Sequence, residues 1–594
     1  MSSRLTGVQS CGSGVPEPIG VRLAGWSLCL VAFLLPLKFG TLAVMPDASG
    51  FLDVPPLDWL IVSWPAHFSG IGAGVLLILA LAGCGFPRRK GWGRLTALLW
   101  CAGLPVAVLW GCRGVPDFVF GALAHFYGLG AIAAGAALVF ARSPRWSRNV
   151  LTALAAGTLL TCLGGAYQYF IGMAETRAYV AQRLAEGVKI DPIILARVAD
   201  DRVFGSMVSC NALAGFLLLG APLAIFGAVR AGEFFEPKRL SRIVFGSGAA
   251  LLTVGILALT RSRGALVCAA IAGMGWLWDR NLSRRVRIGS LGILIVLLGA
   301  GAFWVSRSER GFLSTGERAD YLRTTLKMTI AHPFGAGWGE FYHTHQKIKR
   351  SASDELARDP HNFVASFAAQ CGIPGGLLAA AALFLPLAGL WRLRGRGARY
   401  KVAFWSCTAA TLHLFMDAGI HVPAVLGTLL LVELALLGPH DREESIPVPK
   451  VRKVLAFAVL VFYGIMTIGV NGWWLAGEHA LGRLSALVQP QNGAMIQYSR
   501  NHPEAVLSAY HDAAFFRPWS AYPPWLAGDY FLAQDDAAAA KEFYRNALTK
   551  NDRQAALWWR LSLVAAKEGD PEGARKYLEK AHDLFPAHPH YRLP

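Results

Sequence analysis

The residues with the clearest chemical potential cluster at His361-Asn362, followed after nine residues by Gly372-Ile373-Pro374-Gly375. Imidazole is the side chain whose ordinary pKa, about 6.5, suits a general base near neutral pH. His361 is therefore the candidate catalytic residue. Four arginines form a second group. Arg202 opens Arg202-Val203-Phe204-Gly205, nine residues before Asn211; Arg261 and Arg263 lie in Thr260-Arg261-Ser262-Arg263-Gly264-Ala265; Arg318 begins Arg318-Ala319-Asp320-Tyr321. A guanidinium grips phosphate oxygens bidentately and stays charged, so several converging ones suit a pyrophosphate, whereas a single one at a membrane interface suits a lipid headgroup. Gly337 and Gly339 in Gly335-Ala336-Gly337-Trp338-Gly339 mark a turn, and Gly372 and Gly375 predict close helix packing. No CxxC or Cys/His metal spacing and no Asp-x-Asp pair occurs in the sequence, so neither metal nor cofactor is expected. A Mg²⁺-dependent variant would draw on Asp47, Asp53 or Asp58.

The chain that must position these groups has 594 residues, 54% hydrophobic and only 16% charged, against roughly 25% charged in soluble globular domains. Its mean hydropathy is +0.40. Apolar runs of about 18 to 25 residues recur over the first four fifths, which predicts a polytopic all-α membrane protein. Thirteen spans are expected, near 23–45, 65–85, 95–112, 119–141, 150–173, 207–229, 243–260, 265–278, 288–305, 362–391, 402–420, 422–438 and 454–474. Residues 1–22 form a polar tail. Arg88, Arg89, Lys90 and Arg94, then Arg142, Arg145 and Arg148, and then further basic clusters up to Lys450, Arg452 and Lys453 occupy every second connection. Those connections are expected on the cytoplasmic side, with the N-terminus inside and the C-terminus outside. Most of the formal charge of +19 thus follows from topology and does not imply nucleic acid. The cysteines other than Cys11 fall in or beside apolar spans and read as small buried hydrophobes.

Two outward connections are long, 174–206 and 306–361, and both hold aromatic and aliphatic residues that predict a structured cap. From 475 to 594 the chain is charged and Ala-rich with a period of 34: Tyr510, Tyr544 and Leu578, then Ala513, Ala547 and Ala581. The pattern fits tetratricopeptide-like helix pairs over 555–588 and 521–554 with a degenerate pair before them. Such a solenoid binds a peptide or protein partner, or caps its own membrane domain.

Taken in order, these motifs resemble the O-antigen ligase and polymerase superfamily. The resemblance covers about 150–440: Arg202 to Asn211, Ser262-Arg263-Gly264, Arg318 to Tyr321, Pro333 to Gly339, and His361 to Gly375. It departs at Ser209-Cys210, where Asn-Pro is frequent. The resemblance implies transfer of a glycan from an undecaprenyl-diphosphate carrier to an acceptor hydroxyl at the outer face of the bacterial inner membrane. It implies a multi-pass protein with its C-terminal domain in the periplasm. His361 would take the acceptor's proton, and Arg202, Arg263 and Arg318, with Arg261 beside them, would stabilise the departing diphosphate, with inversion and without metal. Asn211, Asn362, Tyr321, Gly337, Gly339, Gly372 and Gly375 would support the site. The acceptor would be a lipid, a glycan or a protein, so ligase, repeat-unit polymerase and protein O-oligosaccharyltransferase all remain open. The rivals of another class are a transporter, for which Lys38, His125, Asp417 and Glu433 are the candidate ionisable residues, and a repeat-bearing scaffold.

Overall fold

The computed structural model describes residues 16–43, 57–60, 62–85, 87, 89–187, 190, 192–235, 239–280, 282–292, 295–296, 309–349, 357–443, 449–489 and 493–593. The ninth expected span lies largely outside them, as do Cys11, Asp47 and Asp53. In chain order the helices are α1 Ile19–Lys38, α2 His67–Cys84, α3 Trp92–Trp110, α4 Pro116–Arg142, α5 Arg145–Ala185, α6 Pro192–Ala199, α7 Cys210–Phe235 and α8 Arg239–Leu259. The short α9, Arg263–Trp278, is followed by α10 Glu309–Ala331, α11 Glu340–Ile348, α12 Phe363–Arg396, α13 Ala398–His413, α14 Pro423–His440 and α15 Lys450–Val488. Among the described residues ten of these are long and apolar enough to cross a membrane, and the fold is all-α.

A helix that is apolar all round belongs inside its bundle, and two helices here have that character. Every residue from Pro423 to Leu437 of α14 is buried, and most of α4 is buried too. Each starts on a proline, which is pre-set for a helix and has no N–H to leave unsatisfied. Around this pair pack α1, α2, α3, α5, α7, α12 and α15. A polar tie crosses the apolar interior: His67 of α2 meets Asn471 of α15 at 3.0 Å, and the Asn471 amide donates to the Ala124 carbonyl of α4 at 3.1 Å. On the outer faces Val454, Leu455, Val459 and Phe462 stay exposed, as side chains turned to lipid should be.

The basic connections meet at one end of the bundle. There β1, Arg89–Lys90, pairs antiparallel with β2, Arg442–Glu443. The Asp441 carboxylate accepts from Gly93 N–H at 3.0 Å and Arg94 N–H at 2.7 Å, satisfying the start of α3, and Arg89 donates to the Ala141 carbonyl at 2.9 Å. At the other end the first long connection is shorter than expected, because α5 runs on to Ala185. Residues 174–185 contain no Gly or Pro to stop a helix until Gly187. The second long connection is filled by α10 and α11. Of the nine cysteines expected to be buried, Cys101 is half-buried and Cys112 is exposed; Cys112 lies in the turn after α3, outside the packed interior. Lys38, His125 and Glu433 form no set: Lys38 donates to the Trp59 and Val62 carbonyls, His125 meets the Ile420 carbonyl at 2.9 Å, and Glu433 is buried within α14.

Beyond the bundle follow α16 Gly493–Asn501, α17 Pro503–Phe516, α18 Tyr522–Ala533, α19 Ala537–Lys550, α20 Ala555–Lys567 and α21 Pro571–Leu584. The helix hairpins α18/α19 and α20/α21 repeat at the expected interval. Ala513, Ala547 and Ala581 are each 0% exposed: only a side chain this small lets successive helices touch at that point. Tyr544 of α19 donates to Asp529 of α18 at 2.7 Å, and Arg560 of α20 donates to the same carboxylate at 2.8 Å. These helices are docked on the membrane bundle. α15 continues without a break from the bundle into contact with α17 and α18. Arg517, 1% exposed, lies over the Trp474 ring at 4.4 Å and 3.6 Å from the Glu478 carboxylate, while Trp519 stacks on Phe120 of α4 at 4.2 Å.

Removing one partner of a buried ion pair leaves the other uncompensated, at a cost of about 3 kcal/mol. We therefore expect Glu478→Ala to loosen the docked helices. Limited proteolysis of the detergent-solubilised protein should cut the segment after Val488 faster in the variant than in the wild type, and equal rates would exclude Arg517–Glu478 as the clasp.

Candidate active site

The first turn of α12 fixes the position of His361. Asn362 caps that helix: its side-chain oxygen accepts from Ala365 N–H at 3.0 Å and its amide donates to the Phe415 carbonyl at 3.3 Å. Phe363 N–H donates to the Leu414 carbonyl at 2.9 Å. The start of α12 is thereby pinned to the connection between α13 and α14, and His361 is left just outside the helix with φ +53°. A left-handed backbone at a residue with a β-carbon costs on the order of 1 kcal/mol and persists only where its surroundings impose it.

Asp359 is what imposes it. Its carboxylate, 5% exposed, accepts from His361 N–H at 2.6 Å and lies 3.3 Å from His361 Nδ1; the Asp359 carbonyl lies 3.1 Å from the same nitrogen. The second carboxylate oxygen pairs with His421 Nε2. Burial by itself would raise the Asp359 carboxyl, but His421 and His361 outweigh it and hold the group well below the usual carboxylate range. Burial by itself would lower His361; the hydrogen bond and charge of Asp359, with Asp417 behind them, outweigh that and push the imidazole up to about 9. Nδ1 is thus the ring nitrogen turned to Asp359.

The ring of His361 stacks on Tyr321 at 5.3 Å. Tyr321 stands on α10 one turn after Arg318, which is exposed, and packs against Phe341 and His345 of α11. The glycine motifs position α11. Gly337 N–H donates to the Gln370 carbonyl at 2.9 Å, Gly339 N–H to the Gln370 side-chain oxygen at 2.6 Å, and Ile373 N–H to the Pro333 carbonyl at 2.8 Å. These bonds need α12 to break at Gly372, whose φ of +75° and ψ of −174° interrupt the helix. A β-carbon at Gly372 would lie 2.4 Å from the Pro333 carbonyl oxygen. Gly372 therefore admits a loop instead of a neighbouring helix, which corrects the close helix packing expected there. At Gly375 the crowding comes from Cys371, one turn back on the same helix.

The arginine-bearing segments lie around this centre. Val203 N–H donates to the Leu259 carbonyl at 3.2 Å, which ties the segment of Arg202 to the turn carrying Arg261 and Arg263. That turn lies over His413, close to where a β-carbon at Gly264 would sit, and His413 is within electrostatic reach of both Arg318 and Asp417. Asp417 also acts on His361, and Arg202 and Asp417 both lie near the Cys210 thiol at the start of α7. The side chains themselves are not all convergent. Arg202 holds Asp200 through Nε at 2.7 Å and a second nitrogen at 2.6 Å, while Arg261 and Arg263 are exposed and form no ion pair among the described residues. Asn211 lies in the first turn of α7, where Ser209 accepts from Ala212 N–H at 3.1 Å and caps the helix.

Asp359, His421 and Gln370 are residues that no motif marks, and Asp417 was named only for the transporter alternative. Asp359 is visible as an acid two places before His361. Asp417 was expected inside a span, but α13 ends at His413, so Asp417 and His421 stand on the connection between α13 and α14. The apolar run Leu414-Phe415-Met416 continues past the helix end: the Leu414 and Phe415 carbonyls accept from Phe363 N–H and the Asn362 amide at the start of α12, and the three side chains belong to the bundle core.

Residues 248–380 match the family model described as O-antigen ligase. The matched stretch holds Arg261, Arg263, Arg318, Tyr321, the glycine loop and His361, and leaves Arg202 and Asn211 outside. No curated protein was found to match the chain.

The coupled titrations set a pH dependence of stability. The raised His361 contributes fully below its ordinary 6.5, and that contribution is lost as pH rises through about 9. The depressed Asp359 contributes above its ordinary 3.8 and is lost as pH falls through its lower folded value. The thermal midpoint of Asp359→Asn should therefore fall furthest below wild type between these two ordinary values and converge with it toward alkaline pH. A gap constant from pH 4 to 10 would refute the pairing.

Proposed function

We propose that this chain, which carries an O-antigen ligase region of glycosyltransferase type within a multi-pass helical bundle, transfers a glycan from an undecaprenyl-diphosphate carrier to an acceptor hydroxyl. The reaction takes place at the outer face of the bacterial inner membrane. The observation that carries this reading is the Asp359–His361 pair stacked on Tyr321, at the bundle end opposite the basic connections and beside the arginine-bearing turns.

In the proposed step His361 Nε2 takes the proton of the acceptor hydroxyl as its oxygen attacks the anomeric carbon. The bond from that carbon to the diphosphate breaks, its electron pair leaves on the diphosphate oxygen, and the configuration inverts. Asp359 steadies the imidazolium as it forms, which is the role of an acid placed behind a histidine base. Arg318, Arg263 and Arg261 meet the growing negative charge, and Arg202 exchanges Asp200 for a diphosphate oxygen. The helical region 475–594 is read as tetratricopeptide-like and periplasmic. Ligation, polymerisation and protein O-glycosylation share this chemistry and differ in the acceptor.

A base held at about 9 is mostly protonated at neutral pH, with about one molecule in a hundred in the working form. The transfer rate of purified protein with a lipid-linked donor should therefore rise with pH toward that value, and in Asp359→Asn the rise should move to lower pH with a smaller maximum. Replacing His361 with Ala should cut the rate by about 10² to 10⁴ at unchanged protein abundance. A His361→Ala enzyme as fast as wild type overturns the proposal.

A further inference from the structure

The second long connection was expected to form a cap outside the membrane, yet α10 within it carries an apolar line on the side turned away from the protein. Leu322, Leu326 and Ile330, with Phe334 just past the helix end, recur at every fourth position and are 68%, 59%, 71% and 67% exposed. On the other side of the helix Tyr321, Thr324, Thr325 and Met328 are buried. α10 is not among the helices apolar enough to cross a membrane. Four large apolar side chains in one exposed line mark a surface that something covers.

The line ends against two membrane-crossing helices. The Trp110 indole N–H, at the last residue of α3, donates to the Phe334 carbonyl at 2.8 Å, and Ile373 N–H of α12 donates to the Pro333 carbonyl at 2.8 Å. Val106 and Trp110 of α3 and Ile373 and Leu377 of α12 are themselves exposed, as side chains turned to lipid are. Depth agrees with this. From the basic end α3 rises to Trp110 and α12 rises from Leu393 to Ile373, about 28 and about 30 Å at 1.5 Å per residue, which is the thickness of a hydrocarbon core. Trp110, Phe334 and Ile373 thus share the layer where hydrocarbon gives way to headgroups, a layer in which tryptophan is enriched. Arg318, one turn before Leu322 on the same line, and Lys327 beside it are exposed, and basic residues bordering an apolar face suit headgroup phosphates. We propose that this face of α10 is a lipid-contact surface, seated in the membrane leaflet at the end of the bundle opposite the basic connections. Its occupant is lipid because the line runs into surface that lipid already covers. The proposal stands apart from the glycan-transfer reading and, beside it, gives the leaflet a part in the site: Tyr321, on the buried side of α10, stacks on His361.

Spin labels on the full chain in phosphatidylethanolamine–phosphatidylglycerol nanodiscs test this. Nitroxides are attached one at a time through Leu322→Cys, Leu326→Cys and Ile330→Cys, in a background with Cys11, Cys101 and Cys112 replaced by Ser; the other cysteines are buried. Phe462→Cys on the exposed face of α15 serves as the lipid reference and Lys576→Cys on the exposed face of α21 as the water reference. Oxygen concentrates in lipid and a nickel chelate stays in water, so all three α10 labels should collide with oxygen several-fold more than with nickel, as the Phe462 label does. Collisions like those of the Lys576 label place the line in water and overturn the surface. Low collision rates with both reagents mean that a protein, a partner or a second copy, covers the line, and overturn it equally. The unmodified chain gives a second measurement: a phospholipid with a photoreactive group on its acyl chain should leave adducts on the tryptic peptide 328–347, and their absence counts against lipid contact. Neither result depends on His361→Ala, so this surface and the transferase fail separately.

Discussion

The break in α12 at Gly372 is the constraint on which the end of the bundle opposite the basic connections depends. In a continuous helix the Ile373 N–H would stay in the ladder, and the Gln370 carbonyl, facing the ring of Pro374 that has no N–H to offer, would not point at the 333–339 loop. Because the helix turns through a left-handed residue there, both groups are given to the loop, with the Gln370 side chain as a third tie. The loop sets α11, α11 packs on Tyr321, and Tyr321 stacks on His361. A backbone conformation that only glycine adopts easily thus reaches the imidazole through three successive contacts.

Electrostatics then act on what the backbone has placed. Asp359 is buried between two histidines, and the carboxylate is kept charged by them while it keeps His361 protonated to an unusually high pH. In the proposed reaction such a pair would trade abundance of the working base for strength, since a histidine that holds its proton tightly is a better acceptor once deprotonated. The resting imidazolium also adds positive charge to a region already bordered by Arg318 and the Arg261–Arg263 turn, which is consistent with the anionic donor of the proposed reaction.

Much of this was legible in the sequence, for identifiable reasons. Long apolar runs and alternating basic connections are strong one-dimensional signals, and the period-34 alanines mark helix contacts because only a small side chain fits there. Asn362 was legible as a neighbour of His361 but not as the cap of α12, since capping depends on where a helix starts. Asp417 was misplaced because the hydropathy of Leu414 to Met416 does not distinguish burial under a helix from burial in lipid. Asp359 and His421 lie 62 residues apart in the chain, so no spacing rule links them. The glycines were legible as points of close approach, but which partner approaches is a tertiary fact.

α15 is a single helix of 39 residues, about 58 Å at 1.5 Å per residue, roughly twice the hydrocarbon core it would cross. It works as a rigid mast, and Arg517 and Trp519 lash its upper half to the bundle. A mast of fixed length answers a change in bilayer thickness by leaning, and what stands on top leans with it. The seam between bundle and repeats would then open or shut with the lipid around it, making membrane composition a mechanical input to the enzyme.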